Sequence, residues 1–396
     1  MKHDNSASAV HSAVALCGLG IEKAVSNELK KLGLSVKESA FGKVRFSADI
    51  EGLYRALCGL RAADRVLLEA AVFKATDFDA LFEGARSVKW EKLVPAHMGV
   101  RLVKARSSRS GLDAETSIQS VAHKAIARRL CEARGLSRLP ETAEDAEARV
   151  HIDRDEVSLL LDLSGEPLFK RGYRKKGGPA PLRETTAAAL ILLSGWKRKY
   201  PFYDPFCGSG TFLAEALMYA WDMAPGLGRD FAISRLLIAD EAAEERVRSQ
   251  LREKINFDRI IRIAGSDEDE ESANLARANL RALAELAGAG AQSGALPEIR
   301  ALSMEEARPD FARGEDSTGF IITNPPYGKR LGNPADAQRL YAQMPKLARN
   351  FPEWKLGVIC NHPGFESLFQ KKADSRREIS NGSERAYFYQ YECLRK

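Results

Sequence analysis

The second half of the chain, from Arg183 onward, repeats a short apolar run, a loop and an amphipathic helical segment. Three of the apolar runs cover residues 201–204, 260–266 and 319–323. Strands that alternate with helices form a parallel sheet, because each parallel connection must cross the sheet and does so through a helix. The pattern therefore predicts an α/β, Rossmann-like domain whose ligands bind at the carboxyl edge of the strands.

A glycine-containing loop follows the first of these runs. Glycines at a strand-to-helix turn let a ligand approach the backbone, since no Cβ atom stands in the way. Asp204 ends the strand and is placed to accept a hydrogen bond from a ligand ammonium group. We therefore predict that the loop binds a cofactor through Asp204, Phe206, Cys207, Gly208, Ser209, Gly210 and Thr211.

The residues of this loop narrow the choice of ligand. A dinucleotide site would have a third glycine where Leu213 stands, and a phosphate-binding P-loop would have lysine where Thr211 stands. Both departures favour a ligand without a pyrophosphate, and S-adenosylmethionine fits. A tight turn without any ligand is the alternative.

A second carboxylate is expected after the next strand, where it would accept the two ribose hydroxyls of the cofactor. Asp267 follows the run 260–266 and is our choice, while Asp269 is placed at a helix N-terminus, where its charge is favourable. A capping cluster without a ligand is the alternative. The interval from Asp204 to Asp267 is much longer than the roughly 20 residues of a simple dinucleotide fold, which predicts an inserted, helical element within 222–258.

The third run ends in the segment Asn324-Pro325-Pro326-Tyr327-Gly328. Two prolines stiffen the loop, and the Asn324 side-chain oxygen and the Pro325 carbonyl supply two acceptors for the two hydrogens of an exocyclic amine. Tyr327 is suited to stack on a nucleobase, which must leave its own stack to be reached. We predict a catalytic clamp of Asn324, Pro325, Pro326 and Tyr327, with Asn324 also beside the cofactor. A rigid loop without this function is the alternative.

Alternating and helical patterns fill the first half of the chain and divide it into two units. Residues 1–64 contain strand, helix, strand and helix patterns, and residues 65–165 contain further strands and a long basic helix at 118–134. Residues 169–179 then hold five basic residues, no acidic ones and several turn formers. We predict a basic linker at 166–182 and the Rossmann-like domain at 183–396.

Composition favours a polyanionic partner. The net charge is +6 and the isoelectric point is near 8.9. A solvated helix face is the alternative for the basic helix, and we expect His123 and His151 to be structural. The residues predicted to contact RNA phosphates are Lys124, Arg128 and Arg129 on the helix, Lys170, Arg171, Arg174, Lys175 and Lys176 in the linker, and Lys329 and Arg330 after the clamp.

The cysteines and the apolar runs bear on location. Six cysteines occur without a C-x-x-C pair, which argues against a zinc site and a disulfide framework. No apolar run reaches the roughly 18 residues that a membrane span needs. We therefore expect a cytoplasmic protein without a metal or a membrane partner, and a monomer is the simplest oligomeric state.

The segments 204–211 and 324–332 closely resemble the THUMP-containing class I RNA methyltransferases that make N2-methylguanosine. The best match is the bacterial 23S rRNA guanine-N2 methyltransferase group, in a short form with one methyltransferase domain. Arg171-Gly172-Tyr173-Arg174 and residues 180–185 also look like that family's lead into its catalytic domain. The resemblance implies a ferredoxin-like segment at 1–64, a THUMP domain at 65–165, S-adenosylmethionine as cofactor and RNA as substrate.

One departure from this family concerns the cofactor's adenine. Relatives often carry Asp where Ser303 stands, so Ser303, Met304 and Glu305 are the candidates for holding the adenine. The motifs leave other functions open. These are guanine-N2 methylation of tRNA, adenine-N6 methylation of DNA or RNA, and a non-catalytic RNA-binding assembly factor.

Overall fold

The computed structural model describes residues 9–139, 145–174, 182–289, 296–310, 318–326, 334–381 and 384–394. Over these residues the chain forms two sheets of seven strands each. The first sheet belongs to the N-terminal region, and the second belongs to the predicted Rossmann-like domain. One hydrophobic cluster runs through both regions and includes Leu57, Trp221 and Phe388.

The described part of the N-terminal region packs four α-helices against its sheet. Its strands are β1 His11–Leu16, β2 Ser35–Ala40, β3 Lys43–Ala48, β4 Arg65–Lys74, β5 Val100–Ser108, β6 Ala146–Asp153 and β7 Glu156–Asp162. Its helices are α1 Glu22–Lys31, α2 Ile50–Gly59, α3 Phe78–Ser87 and α4 Glu115–Arg134, with a short 3-10 helix at Trp90–Lys92. The strand order is β2-β3-β1-β4-β7-β6-β5.

Strand β1 pairs antiparallel with both β3 and β4. The sheet therefore continues across the boundary predicted at residue 64, and the two predicted units share one layer of strands. The assignment of residues 65–165 to a THUMP domain stays a prediction.

Side-chain alternation decides which face of this sheet meets the helices. Along β6, Ala148, Val150 and Ile152 enter the core, whereas Arg149 and His151 point to the opposite face. Strand β2 was not predicted, because most of its side chains are exposed and polar. It forms because a tight turn brings it back onto β3 as an edge strand.

The second region is a mostly parallel sheet with helices on its faces. Its strands are β8 Phe202–Asp204, β9 Ile263–Asp267, β10 Glu298–Ala301, β11 Phe320–Thr323, β12 Lys355–Cys360, β13 Ser375–Asn381 and β14 Glu384–Tyr391. Its helices are α5 Glu184–Leu193, α6 Thr211–Ala220, α7 Glu241–Arg252, α8 Glu270–Ala287, α9 Pro334–Gln343, α10 Leu347–Asn350 and α11 Phe365–Leu368. The strand order is β10-β9-β8-β11-β12-β14-β13, and β14 runs antiparallel to its neighbours.

The parallel strands end at one edge, and this edge carries the predicted site. Strand β8 pairs in parallel with β9 on one side and with β11 on the other. The carboxyl ends of these three strands are Asp204, Asp267 and Thr323. The Rossmann-like fold predicted from the repeated strand and helix pattern is confirmed.

The element predicted between Asp204 and Asp267 is present as α7, preceded by a 3-10 helix at Ala232–Arg235. It packs against α2 of the N-terminal region. Arg246 on α7 pairs with Glu51 at 2.9 Å, and the Tyr54 hydroxyl accepts the Asp240 backbone N–H at 3.2 Å. The inserted element therefore helps to hold the two regions together.

A buried ion pair lies where the two regions meet. Arg171 is only 3% exposed, and its Nε atom lies 3.2 Å from the Glu215 carboxylate on α6. Arg171 also donates to the backbone oxygens of Leu168 and Arg61, at 2.7 Å and 2.6 Å. The segment predicted as a basic, RNA-contacting linker is thus packed into the protein at this point.

A second contact joins the hairpin of β13 and β14 to the turn after β1. The Ser380 backbone N–H donates to the Leu19 carbonyl at 3.0 Å, and the Leu19 N–H donates to Ser380 Oγ at 2.9 Å. Gly20 has a φ of +85°, and a Cβ atom there would lie 2.0 Å from the Glu378 carbonyl oxygen. Only glycine allows this close approach.

No helix in the described ranges is long and apolar enough to cross a membrane.

We predict that replacing Glu215 with Ala lowers the free energy of unfolding by about 3–5 kcal/mol, because the buried Arg171 charge loses its partner. Urea unfolding followed by circular dichroism measures this change. Lys170→Ala is the matched control, since Lys170 pairs with Glu166 at the surface and its loss should cost less than about 1 kcal/mol. Equal effects of the two substitutions would contradict the structural role of the buried pair.

Candidate active site

Asp204 lies at the carboxyl end of β8 and is 2% exposed. Its Oδ1 atom accepts hydrogen bonds from Thr323 Oγ1 at 2.6 Å and from the Phe206 backbone N–H at 3.1 Å. Burial disfavours the charged carboxylate more than these donors favour it, and raises the pKa of Asp204 to about 7. The charged form of Asp204 would therefore gain strongly from a cationic partner.

Asp267 lies at the end of the neighbouring strand β9. One of its oxygens accepts the Gly208 backbone N–H at 2.8 Å, and the other accepts the Asp269 N–H at 3.1 Å. Burial raises the pKa of Asp267. Asp269 instead caps α8, where its carboxylate accepts the Ser272 N–H at 2.9 Å. The prediction that Asp269 lies at the helix N-terminus is confirmed.

The glycine loop between β8 and α6 leaves room for a ligand. Gly208 has a φ of +51°, which favours glycine, and a Cβ atom there would meet no heavy atom within 4 Å. Cys207 is buried, and Phe206 is half-buried. Asn279 on α8 donates from Nδ2 to the Ser209 carbonyl at 2.9 Å and so holds the loop. Asn279 is not evident from the sequence, because it lies within a helix and outside any motif.

Arg174 lies beside the start of α6. Its guanidinium donates to Thr211 Oγ1 at 2.9 Å and pairs with Glu184 at 2.9 Å, and its side chain is 14% exposed. These bonds place Arg174 next to the glycine loop and give its charge a partner. The prediction that Arg171 contacts RNA is wrong, because its buried guanidinium is taken up by Glu215.

The clamp segment begins directly after β11. The Asn324 Oδ1 atom is buried and has no hydrogen-bond partner among the described residues. An unpaired buried acceptor typically costs about 1–3 kcal/mol, so this atom has the property expected of an acceptor for a ligand hydrogen. Pro325 is buried and Pro326 is half-buried.

Two aromatic residues support the clamp from neighbouring elements. The Tyr341 hydroxyl on α9 donates to the Pro326 carbonyl at 3.3 Å. The ring of His362, which follows β12, packs edge-on against Tyr341 with a centroid distance of 5.9 Å. The Gly364 N–H donates to His362 Nδ1 at 3.1 Å and fixes this ring. Neither residue belongs to a predicted motif, although the position of His362 after a strand end is a signal that the sequence carries.

The residues predicted to hold adenine follow β10. Ser303 Oγ donates to Glu306 at 2.7 Å, and Glu305 pairs with Lys346 at 2.7 Å. Met304 is buried in a hydrophobic cluster that includes Tyr203. Their part in cofactor binding stays a prediction.

Lys124, Arg128 and Lys170 are exposed, as phosphate contacts require, and Arg129 is half-buried. Three of these four cations already have an acidic partner: Arg128 pairs with Glu132 at 3.2 Å, Arg129 bonds to Glu91 at 3.0 Å, and Lys170 pairs with Glu166. The remaining predicted site residues, Tyr327, Lys175, Lys176, Lys329 and Arg330, lie outside the described residues.

These features together fit S-adenosylmethionine. The open space beside Gly208 admits a ligand close to the backbone. Asp204 suits the ammonium group of the methionine part, and Asp267 suits the ribose hydroxyls. The Thr323–Asp204 hydrogen bond connects the strand that carries the glycine loop to the strand that carries the clamp.

Comparison with family models identifies both regions. The methyltransferase domain model UPF0020, described as RMKL-like, matches residues 171–387. The model of the RlmL ferredoxin-like domain matches residues 12–67. The ferredoxin-like N-terminal region and the class I methyltransferase domain predicted from the sequence are confirmed.

Two curated relatives match over nearly the whole chain. YpsC of Bacillus subtilis, named as a candidate RNA methyltransferase, is 33% identical over 96% of this chain and 96% of its own. The ribosomal RNA large subunit methyltransferase K/L of Syntrophotalea carbinolica is 33% identical over 92% of this chain. This chain spans about half, 51%, of that longer relative.

Two solved structures share the whole architecture. SMU.472, a methyltransferase candidate in complex with SAH, is 34% identical, with a TM-score of 0.85 over 98% of this chain and 99% of its own. A protein of Listeria monocytogenes, described as a predicted N6-adenine-specific DNA methylase, is 35% identical, with a TM-score of 0.85 over 97% of this chain and 96% of its own.

We predict that the affinity for S-adenosylmethionine rises as the pH increases through about 7, because only ionised Asp204 attracts the ligand ammonium. The change should approach tenfold for each pH unit below this value. Isothermal titration calorimetry at several pH values measures it. Asp204→Asn should bind weakly without this pH dependence, whereas Asp269→Asn, which keeps a capping side chain, should retain it. An unchanged pH profile in Asp204→Asn would contradict the assignment.

Proposed function

This chain belongs to the UPF0020 family of RMKL-like methyltransferases, and on that premise we propose that it methylates the exocyclic N2 amine of a guanosine in RNA. The cofactor is S-adenosylmethionine, and 23S rRNA is the proposed substrate. The observation that carries the proposal is the buried Oδ1 atom of Asn324, which has no hydrogen-bond partner among the described residues and lies at the sheet edge that also holds Asp204 and Asp267.

The amine chemistry explains why such an acceptor is useful. The nitrogen of an amine attached to a nucleobase is a poor nucleophile, because its lone pair is delocalised into the ring. When Asn324 Oδ1 and the Pro325 carbonyl accept its two hydrogens, the nitrogen is pushed towards tetrahedral geometry and its lone pair becomes available. Preorganised acceptors of this kind act mainly through position and electrostatics.

Each part of the site has a defined task in this proposal. Bound S-adenosylmethionine supplies an electrophilic methyl group on a sulfonium. Asp204 and Asp267 bind and orient the cofactor, and the glycine loop lets it lie against the backbone. Tyr341 fixes the Pro326 carbonyl and thereby keeps the clamp loop in place. Tyr327 would stack on the flipped base.

The relatives support RNA as the polymer. The longer K/L protein is named as a ribosomal RNA methyltransferase and YpsC as an RNA methyltransferase candidate, and both match the N-terminal region as well as the catalytic domain. The positive net charge points the same way. A cytoplasmic location belongs to the same proposal, and tRNA is the alternative RNA substrate.

Adenine-N6 methylation is the second candidate reaction. The two acceptors of the clamp fit any exocyclic amine, and the Listeria relative is described as a predicted N6-adenine-specific DNA methylase. An assembly factor without catalysis is a third reading. The buried Asn324 acceptor and the two strand-end carboxylates argue against it, because a non-catalytic protein has no need to keep them.

Nucleoside analysis tests the reaction. The protein is incubated with methyl-labelled S-adenosylmethionine and, separately, 23S rRNA, tRNA and duplex DNA. We expect the label in N2-methylguanosine from 23S rRNA. Label in N6-methyladenosine or in DNA would contradict the assignment of guanine as the target base. Label in tRNA alone would contradict 23S rRNA as the substrate and favour tRNA. RNA binding without any transfer would favour the assembly factor.

Asn324→Ala tests the clamp. We expect transfer to fall by at least about 100-fold, because a preorganised transition-state contact is lost, while S-adenosylmethionine affinity changes by less than about tenfold. Asn256→Ala, which removes an exposed amide that contacts none of the described site residues, is the control and should keep full activity. Near-normal turnover in Asn324→Ala would contradict the clamp mechanism.

A further inference from the structure

Basic side chains are paired across β5 and β6 on the face of the N-terminal sheet that lies opposite the helices. The register places Lys104 beside Arg149 and Arg106 beside His151. Because side chains alternate along a strand, all four project to the same face, while Ala148 and Val150 enter the core. Four basic side chains thus form a compact group on two adjacent strands.

Lys43 from β3 extends this group. The Arg45 side chain, two residues further along β3, reaches over β1 and β4 to within 3.4 Å of Ser158 Oγ on β7, and Ser158 is paired in register with His151. Burial first, and then the charges of Lys43, Arg149, Lys104 and Arg106, lower the pKa of His151 to about 4. His151 is therefore neutral near pH 7 and is surrounded by four cations.

These cations are poorly neutralised within the protein. In the described part of the chain, neither Lys43 nor Lys104 has an acidic group within ion-pair distance. Arg149 reaches Asp162 only at 3.8 Å, and Asp162 already bonds to Arg65. The buried Nε atom of Arg149 has no hydrogen-bond partner among the described residues. Arg106 has Glu115 at 3.5 Å.

Clustered like charges raise the free energy of the folded protein unless an anion offsets them. Two of the cations predicted to contact RNA from helix α4 are already neutralised, because Arg128 pairs with Glu132 and Arg129 pairs with Glu91. The sheet face therefore offers more uncompensated positive charge than the helix face. An extended polyanion fits it better than a single small anion, because the cations come from β3, β5 and β6.

We propose that Lys43, Lys104, Arg106 and Arg149, grouped around His151, form a cationic face that binds the phosphodiester backbone of the RNA substrate. This inference rests on the proposed function, because it assigns RNA as the occupant. Phosphate contacts position a nucleic acid and carry little sequence information. The cationic face would therefore hold the RNA while the clamp receives the target base.

The connection between the regions is suited to this division of labour. Lys43 is paired in register with Leu16 at the end of β1, and the turn after β1 contacts the hairpin of β13 and β14. Strand β14 begins beyond the carboxyl end of β12, since Tyr387 is already paired with Cys360. The described ends of β13 and β14 therefore extend past the sheet edge that carries the clamp, and link that edge to the N-terminal sheet.

Two charge-matched double variants test the cationic face. Lys104→Gln with Arg106→Gln removes two of its charges from the edge strand β5. Lys30→Gln with Arg252→Gln removes one lysine and one arginine charge from exposed positions outside it, on α1 and on α7. Lys43→Gln on β3 is an independent variant. Affinity for a fluorescein-labelled, mixed-sequence RNA hairpin is measured by anisotropy over a salt series, and thermal unfolding verifies the fold.

We expect the first double variant to bind RNA at least about tenfold more weakly at low salt, and to reduce the slope of log affinity against log salt by about one to two. Lys43→Gln should weaken binding less, and the control should bind like the wild type. Unchanged affinity in the first variant, or equal losses in both double variants, would overturn the proposal. Tighter binding of a DNA duplex than of RNA at this face would overturn RNA as the occupant.

Cofactor affinity and methyl transfer separate this inference from the proposed function. The first double variant should keep its S-adenosylmethionine affinity while methyl transfer to RNA shows a raised KM. A wild-type protein that binds RNA through this face but forms no N2-methylguanosine would support the cationic face and contradict the proposed function. Loss of transfer with unchanged RNA affinity would overturn the cationic face.

Discussion

The active site depends on the parallel pairing of β8 with both β9 and β11. Parallel strands end at the same edge, so three short loops that are far apart in the chain meet in space. A hydrogen bond of 2.6 Å from Thr323 Oγ1 to Asp204 Oδ1 then fixes β11, which precedes the clamp, against β8, which precedes the glycine loop. A shift of either strand by one residue would turn Asp204 or Thr323 to the opposite face, and would separate the cofactor acid from the clamp.

The relation between the two regions depends on charge buried between them. Arg171 and Glu215 gain little net free energy from their pairing, because both lose their hydration, but each is costly to leave alone. The Arg171 bond to the Arg61 carbonyl extends this pair to the N-terminal region, so a displacement of the regions would leave a buried donor unpaired. Together, the Arg171 bonds to the Leu168 and Arg61 carbonyls fix the orientation of the guanidinium group.

Much of the fold could be predicted from the sequence, because the buried parallel strands are continuous apolar runs and the motifs stand at their ends. The inserted helix was predicted from the length of one interval alone. The polar edge strand β2 was missed, since its conformation comes from its neighbour and not from its own residues. The burial of Arg171 was missed for a related reason, because an arginine among glycines and lysines looks exposed until its partner on α6 is placed beside it.

The candidate site was predictable in its motifs and less so in its supporting residues. Asn279, Tyr341 and His362 act through contacts that form only when distant elements pack together. The grouping of Lys104 and Arg149 depends on the register between β5 and β6, which shifts between Leu102 and Lys104. Sequence spacing does not give such a register, so the RNA contacts predicted for the N-terminal region lie on helix α4 and not on the sheet.

The contact between Leu19 and Ser380 has a consequence for the order of folding. Its partners are separated by 361 positions, and domains generally form as they emerge during synthesis, the N-terminal one first. The N-terminal sheet is therefore complete long before the synthesis of the β13–β14 hairpin, which contacts the turn after β1. Until that hairpin forms, this contact between the N-terminal sheet and the catalytic domain is absent. The last strands of the catalytic sheet therefore also complete the alignment of the two regions.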